Sequence, residues 1–231
     1  MLQCLDKDFK EVNGWYEFRG TKIHKINPEK PISPASEEID WICEQVLRWD
    51  NYSRYYGWDY DRARRKLQYT APIKLVDMAT GHLPPSGRLL DVGAGSGALG
   101  EVLIPKGFRL DGIDLAPKLL EKARTRGYGN LIAADVTCPD VLELFGGQKY
   151  DGIVSCGMFG DFVSPSFLPR FQGILNNRAS LAIAGSKDGL EGLERVIRLI
   201  GFSVVDSDAC TGHLRDTGKP VEYLFIVGKR G

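Results

Sequence analysis

The chain has 231 residues, 43% of them hydrophobic and 26% charged, which is apolar material enough for one α/β domain with a full core rather than two small ones. Thirty basic residues balance thirty acidic ones, so no net field draws the protein to nucleic acid or to an anionic membrane surface. The five cysteines (Cys4, Cys43, Cys138, Cys156, Cys210) are odd in number and scattered without a CxxC pair, which argues against a zinc site or a disulfide framework and for free thiols in a reducing compartment. With no basic-then-apolar leader and no apolar run of membrane-spanning length, the cytoplasm is the expected location.

Residues 1–86 read as an N-terminal extension and helical cover, and residues 87–231 as the core of the same single domain. "GWYEFRGTKIHKINPEKPISP" mixes aromatics, charges and prolines without a helical period. "SEEIDWICEQVLRWDNYSRYY" predicts a helix capped by Ser36 with acids in its first turn, and "RRKLQYTAPIKLVDMATG" predicts a second. Arg62, Arg64, Arg65 and Lys66 read as the solvated face of a helix. From Arg88 onward, short apolar runs alternate with amphipathic stretches, the pattern of a parallel sheet with crossover helices. Strands are expected at Arg88 to Val92, "FRLDGID", "NLIAAD", "YDGIVSC" and "ASLAIAG". Helices are expected after the first, at "APKLLEKARTRG", and at "GLEGLERVIRLIG" with Leu193, Val196, Ile197 and Ile200 on one stripe. "FSVVDSDAC" and "VEYLFIVGK", separated by "TGHLRDTGKP", predict a terminal antiparallel hairpin.

The stretch "RLLDVGAGSGALG" joins a strand to a helix through glycines, placing backbone N–H groups where a nucleotide-type ligand can approach. Gly95, Gly97 and Gly100 match GxGxxG, the dinucleotide fingerprint, while Asp91 with Gly93, Gly95 and Gly97 matches DxGxGxG, the S-adenosylmethionine pattern. Asp91 separates the two. A carboxylate roughly 5 Å from a pyrophosphate costs about 3 kcal/mol per charge pair at an effective dielectric near 20. Against an ammonium and a sulfonium, the same acid is favourable. Asp114 then closes the second strand where a ribose diol needs an acceptor. Asp135 closes the third, beside the Val136 N–H, where an adenine edge needs both. Ala94 in the glycine turn and Leu115 beside Asp114 complete this set of contacts, and Ser155 and Cys156 offer carbonyls to the ammonium. For Asp91, capping the turn is as reasonable a role as touching the ligand.

Over roughly Gly87 to Lys229 the chain resembles the class I methyltransferases, and within them the Williams-Beuren-region group of methyltransferase-like proteins. The finer likeness rests on "DYDRARRKLQYTAP" (Asp59 to Pro72) and "YDGIVSCGMFGDFVSPSFLPRF"; "LLDVGAGSG" marks the superfamily alone. Residues 1 to about 45 have no counterpart there, and "NNRAS" stands where the group carries a glycine pair. The resemblance implies a Rossmann-like α/β fold with a mostly parallel seven-stranded sheet, S-adenosyl-L-methionine as cofactor, no metal, and Tyr60 and Tyr69 closing over the cofactor. They belong to a dense aromatic supply that includes Tyr52, Tyr55, Tyr56 and Trp58.

The expected reaction is methyl transfer to a small-molecule acceptor, with no membrane partner and nucleic acid disfavoured by the neutral charge and the missing (D/N)PP(Y/F) sequence. Three alternatives stand beside it: transfer to a protein side chain, a nicotinamide-dependent oxidoreductase, and a cofactor-binding protein without catalysis, whose acceptor space its own side chains would fill. The catalytic group is not identified. Asp161 and His213 are candidates, the first more readily a loop cap than a base, the second expected in an exposed turn. Cys156 lacks a basic partner and is expected to be inert.

Overall fold

The computed structural model describes residues 8–27, 29, 37–55, 60–215 and 217–231, without the side chains of 37, 38, 50–55 and 60. Cys4, Ser36, Tyr56 and Trp58, and the rings of Tyr52, Tyr55 and Tyr60, therefore lie outside the described residues.

The N-terminal region opens on three strands, β1 (Phe9–Val12), β2 (Trp15–Phe18) and β3 (Thr21–Lys25), paired in that order as an antiparallel meander. The cover is thus not helical throughout. The signal was present in Asn13-Gly14, the dipeptide that turns two-residue hairpins because both positions require positive φ; here they show 51° and 78°. Helix α1 (Glu37–Tyr55) follows and lays Ile39, Ile42, Cys43 and Val46 on Tyr16, Phe18 and Ile23 of the meander, a small core of its own.

The second predicted helix is two helices, α2 (Tyr60–Lys66) and α3 (Ala71–Ala79). Between them the chain turns at Gln68 (φ 50°) and runs beside the C-terminal hairpin: Thr70 N–H donates to Gly212 O and Leu214 N–H to Leu67 O. Pro72 lies at the start of α3, where its missing N–H costs no intrahelical bond.

The remaining elements are β4 (Arg88–Val92), α4 (Gly100–Leu103) with a 3-10 turn to Lys106, β5 (Arg109–Asp114), α5 (Pro117–Thr125), β6 (Leu131–Ala133), β7 (Tyr150–Cys156), β8 (Leu175–Ser186), α6 (Leu193–Leu199), β9 (Ser203–Leu214) and β10 (Pro220–Lys229). Seven strands form one sheet in the order β6-β5-β4-β7-β8-β10-β9. The first five are parallel; β10 runs antiparallel to both its neighbours. Two strands are longer than expected, β8 because "NNRAS" belongs to it and β9 because it continues to Leu214.

Alternation along the strands splits the core between two faces. Leu90, Val92, Ile153 and Ile183 pack with Phe171, Leu193 and Ile197 on one, and Leu89, Leu110, Val154 and Phe225 pack with Leu75, Leu103 and Leu120 on the other. Each such fully buried side chain stabilises the fold by about 1.5–3 kcal/mol. The chain enters the sheet at β4, builds outward to β6, and returns across β4 to β7. This reversal opens a crevice at the carboxyl ends of β4 and β7. The meander clips onto that end: Thr21 Oγ1 donates to Leu115 O, and Lys22 bridges Ala134 while its carbonyl accepts from Asp135 N–H. Among the described residues no helix is long and apolar enough to cross a membrane.

Candidate functional site

A cavity of about 750 Å³ lies over the crevice. Its sheet-side wall comes from strand ends: Gly93 and Gly95 after β4, Asp114 and Leu115 after β5, Asp135 and Val136 after β6, and Cys156 to Met158 after β7. Gly93 has φ 82° and packs its α-carbon on Met158, where a Cβ would come within 2.5 Å of that side chain. Before Gly95 the space is open, the nearest atom to a would-be Cβ being Asp114 Oδ2 at 4.0 Å.

Asp114 fastens the glycine turn. Its Oδ2 accepts from Gly95 N–H at 2.8 Å and its Oδ1 from Ala116 N–H at 2.8 Å, which fixes the carboxylate at the cavity wall. Asp135 is 3% exposed and caps the next turn, accepting from Thr137 N–H and Oγ1. Burial raises its pKa, with the Thr137 bonds opposing.

Other predicted contacts stand behind the lining. Asp91 is 1% exposed beneath the turn; its Oδ2 accepts from Tyr128 OH at 2.6 Å, and its Oδ1 has no hydrogen-bond partner among the described residues. Burial pushes this carboxyl up to about 7, against the pull of the tyrosine hydrogen bond. Ala94 packs against Gly112 in the core, and Gly97 faces Tyr128, Ala123 and Arg126. The Ser155 hydroxyl donates to Val92 O at 2.7 Å and ties β7 to β4.

The opposite wall belongs to the cover. Trp41, Gln45, Arg48 and Trp49 of α1 line it, and the Trp49 ring meets Phe162 edge-on at 5.1 Å. Tyr69 reaches in from the break between α2 and α3, its hydroxyl 3.3 Å from Cys156 Sγ. Burial pushes the Cys156 thiol up to about 12, so it holds no thiolate at neutral pH. Arg64 also lines the cavity, unlike the exposed Arg62, Arg65 and Lys66 beside it, which corrects the solvated-face expectation at this one position.

His213 is the larger correction. It is not an exposed turn residue but a half-buried member of β9, paired with Val221, because the strand runs on along segment 67–70. Its ring packs edge-on against Tyr69 at 5.8 Å and Tyr223 at 5.5 Å, and its Nδ1 is buried without a hydrogen-bond partner among the described residues. Burial lowers its pKa, with the charge of Asp161 opposing. Asp161 lines the same cavity and accepts from Ser186 N–H at 3.3 Å. Sequence reasoning missed the α1 lining and Tyr223, which carry no motif beyond ordinary helical and strand periodicity.

Residues 89–177 match the family described as a methyltransferase domain. The ubiquinone biosynthesis O-methyltransferase of Xanthomonas axonopodis pv. citri (strain 306) is 28% identical over 203 residues, covering 84% of this chain and 79% of its own. That of Xanthomonas campestris pv. campestris (strain B100) is 27% identical over 206 residues, covering 85% and 80%. Among solved structures, magnesium protoporphyrin IX methyltransferase from Synechocystis PCC 6803 with bound S-adenosylmethionine superposes with a TM-score of 0.60 at 16% identity, covering 82% of this chain and 97% of that one. A Burkholderia thailandensis 1,6-didemethyltoxoflavin-N1-methyltransferase, solved with its acceptor and S-adenosylhomocysteine, gives 0.60 at 20% identity, covering 86% and 92%. At such identities the likeness speaks to the fold, which is the Rossmann-like class I methyltransferase fold.

Proposed function

We propose that this chain, an S-adenosylmethionine-dependent methyltransferase of the small-molecule type, transfers its methyl group to a hydroxyl of the acceptor. The fit of the cofactor rests on the protein's own groups. Open space before Gly95 admits a close ligand, Asp114 lines that space with a carboxylate of the type a sugar diol needs, and Asp91 Oδ1 is buried beneath the turn without a hydrogen-bond partner among the described residues. The cofactor, when bound, supplies an electrophilic methyl group on a sulfonium.

What remains for the protein is to orient a nucleophile, exclude water and remove a proton. Trp49 and Phe162 give the acceptor side of the cavity an apolar wall. His213, kept neutral by burial, accepts the hydroxyl proton, and Asp161 steadies the imidazolium that results. Tyr69 and Tyr223 hold the imidazole plane by their edge-on contacts. Oxygen as the methylated atom is supported by this base and by the O-methyltransferase relatives. The segments Asp59 to Pro72 and Tyr150 to Phe171 support a place near the Williams-Beuren-region group.

The observation that carries this reading is a single cavity joining the glycine turn and Asp114 to Asp161 and His213. The described residues leave that space open, contrary to a protein whose own side chains fill its acceptor site. Incubation with methyl-labelled cofactor and fractionated extract tests it. Label is expected in a small-molecule fraction as an acid-stable ether; label in protein or nucleic acid would overturn the reading.

A further inference from the structure

A second cavity, of about 650 Å³, adjoins the first and shares two residues with it, Asp161 and His213. The rest of its wall comes from the end of β8 and the residues after it and from the hairpin of β9 and β10, and it is polar: Ser186, Lys187 and Glu222 stand there with Arg215. The first cavity, which His213 also lines, presents Trp49, Phe162 and Met158. The base thus stands between an apolar compartment and a charged one. An acceptor with its hydroxyl at His213 has room for an apolar body in the first and a charged end in the second.

The sign of that end follows from which charges are already matched. Lys187 Nζ lies 3.2 Å from Glu222 Oε2, and Asp161 accepts from Ser186 N–H at 3.3 Å while its charge favours a protonated His213. Asp188 and Arg215 are left over, both exposed, neither with a side-chain hydrogen bond or ion pair among the described residues. Of the two, it is the Arg215 cation that is felt at the imidazole, where it opposes protonation. The backbone of Arg215 is held by a tight turn, its N–H donating to Lys219 O and its carbonyl accepting from Gly218 N–H, each at 2.8 Å. A cation so placed works against a base that must take up a proton. An anion on the guanidinium removes that opposition as the acceptor arrives, whereas an ammonium would add to it and compete with the imidazolium for Asp161. Guanidinium donors grip a carboxylate in bidentate, charge-assisted fashion. A single negative charge also suits one unmatched cation with Asp161 and Asp188 close by.

We propose that the second cavity binds a carboxylate carried by the acceptor, with Arg215 as its partner, so that the substrate is a hydroxylated carboxylic acid. This rests on the methyltransferase reading and deepens it by naming the substrate class. The carboxylate takes no part in bond making; it fixes the hydroxyl against His213 and neutralises the cation beside the imidazole.

The test follows the charge of the labelled product. Wild-type protein is incubated with methyl-labelled S-adenosylmethionine and a small-molecule extract, and the products are passed over an anion exchanger at neutral pH and again at about pH 2, below the carboxylate range. Label is expected to be retained in the first run and to flow through in the second. A product that flows through in both runs, being neutral or cationic, or one held in both, as a phosphate or sulfate ester would be, overturns the proposal. Arg215→Met is expected to lower incorporation from dilute extract about 10-fold while S-adenosylhomocysteine binding, read by calorimetry, stays unchanged. Arg215→Lys, which keeps the charge should the first variant fail to fold, is expected to recover part of the loss. Undiminished incorporation by Arg215→Met, or equal loss of cofactor binding, overturns the assignment of Arg215. An absence of label from every small-molecule fraction would instead overturn the reading beneath it.

Discussion

On the sheet side of the cavity, Gly93, Asp114, Asp135 and Cys156 stand at the ends of four neighbouring strands; on the cover side, Arg64 and Tyr69 stand on short segments seated by polar bonds. The first wall inherits its precision from backbone ladders and two apolar clusters. The second owes its position to Asp61, Ser96 and Arg126 and to two backbone bonds with β9. Strand ladders and core thus anchor the glycine-turn side, and the wall above is expected to loosen without dismantling the sheet.

His213 belongs to both walls, so breaking it should have the largest effect. His213→Gln is expected to slow methyl transfer about 10²- to 10⁴-fold, the usual contribution of a general base, with S-adenosylhomocysteine affinity preserved. Because a protonated imidazole cannot accept a proton, the wild-type rate should fall as pH drops through the lowered histidine pKa, and the variant's profile should be flat there. Unchanged turnover would reduce His213 to a packing partner of Tyr69 and Tyr223.

Asp91 sharpens the comparison from the sheet side. Its folded pKa of about 7 lies above the usual carboxylate value near 4, so the folded state holds a proton that the unfolded chain has released. The stabilisation is complete below about pH 4 and is lost as pH rises to about 7, a change of up to roughly 4 kcal/mol. Denaturation across this range, wild type minus Asp91→Asn, should show that slope; parallel curves would mean that the acid is ionised in the fold.

A smaller effect is expected on the cover side. Asp61→Asn weakens the seat of α2 and should cost about 1–3 kcal/mol. Faster hydrogen exchange should appear over residues 61–66, with β4, β5 and β7 unchanged. Exchange that quickens everywhere would show the two walls unfolding as one.

The same contrast explains what the sequence made legible. Strands β4 to β7, and the acids at the ends of β5 and β6, follow from short apolar runs with turn residues after them, a local pattern. The meander was also encoded locally, in Asn13-Gly14, but its proline-rich neighbourhood hides the alternation. The break between α2 and α3 was not encoded locally. Leu67 and Thr70 leave the helix because Leu214 and Gly212 offer backbone partners some 140 residues away, and the same pairing carries His213 out of the expected turn. Arg64 was hidden for a related reason: four cations within five residues read as a wet face, and only the bonds of Asp61 to Ser96 and Arg126, on distant segments, decide which one turns inward.

The position of β10 bears on how the molecule is made. It is the last strand in chain order, yet it enters the sheet between two strands synthesised before it, and β9 reaches the sheet only through it. A nascent chain arrested before Tyr223 would therefore present β8 with a long unpaired edge, and β9 with His213 adrift from it. Truncation of the chain before Tyr223 should therefore yield sticky polypeptide with an unfinished sheet.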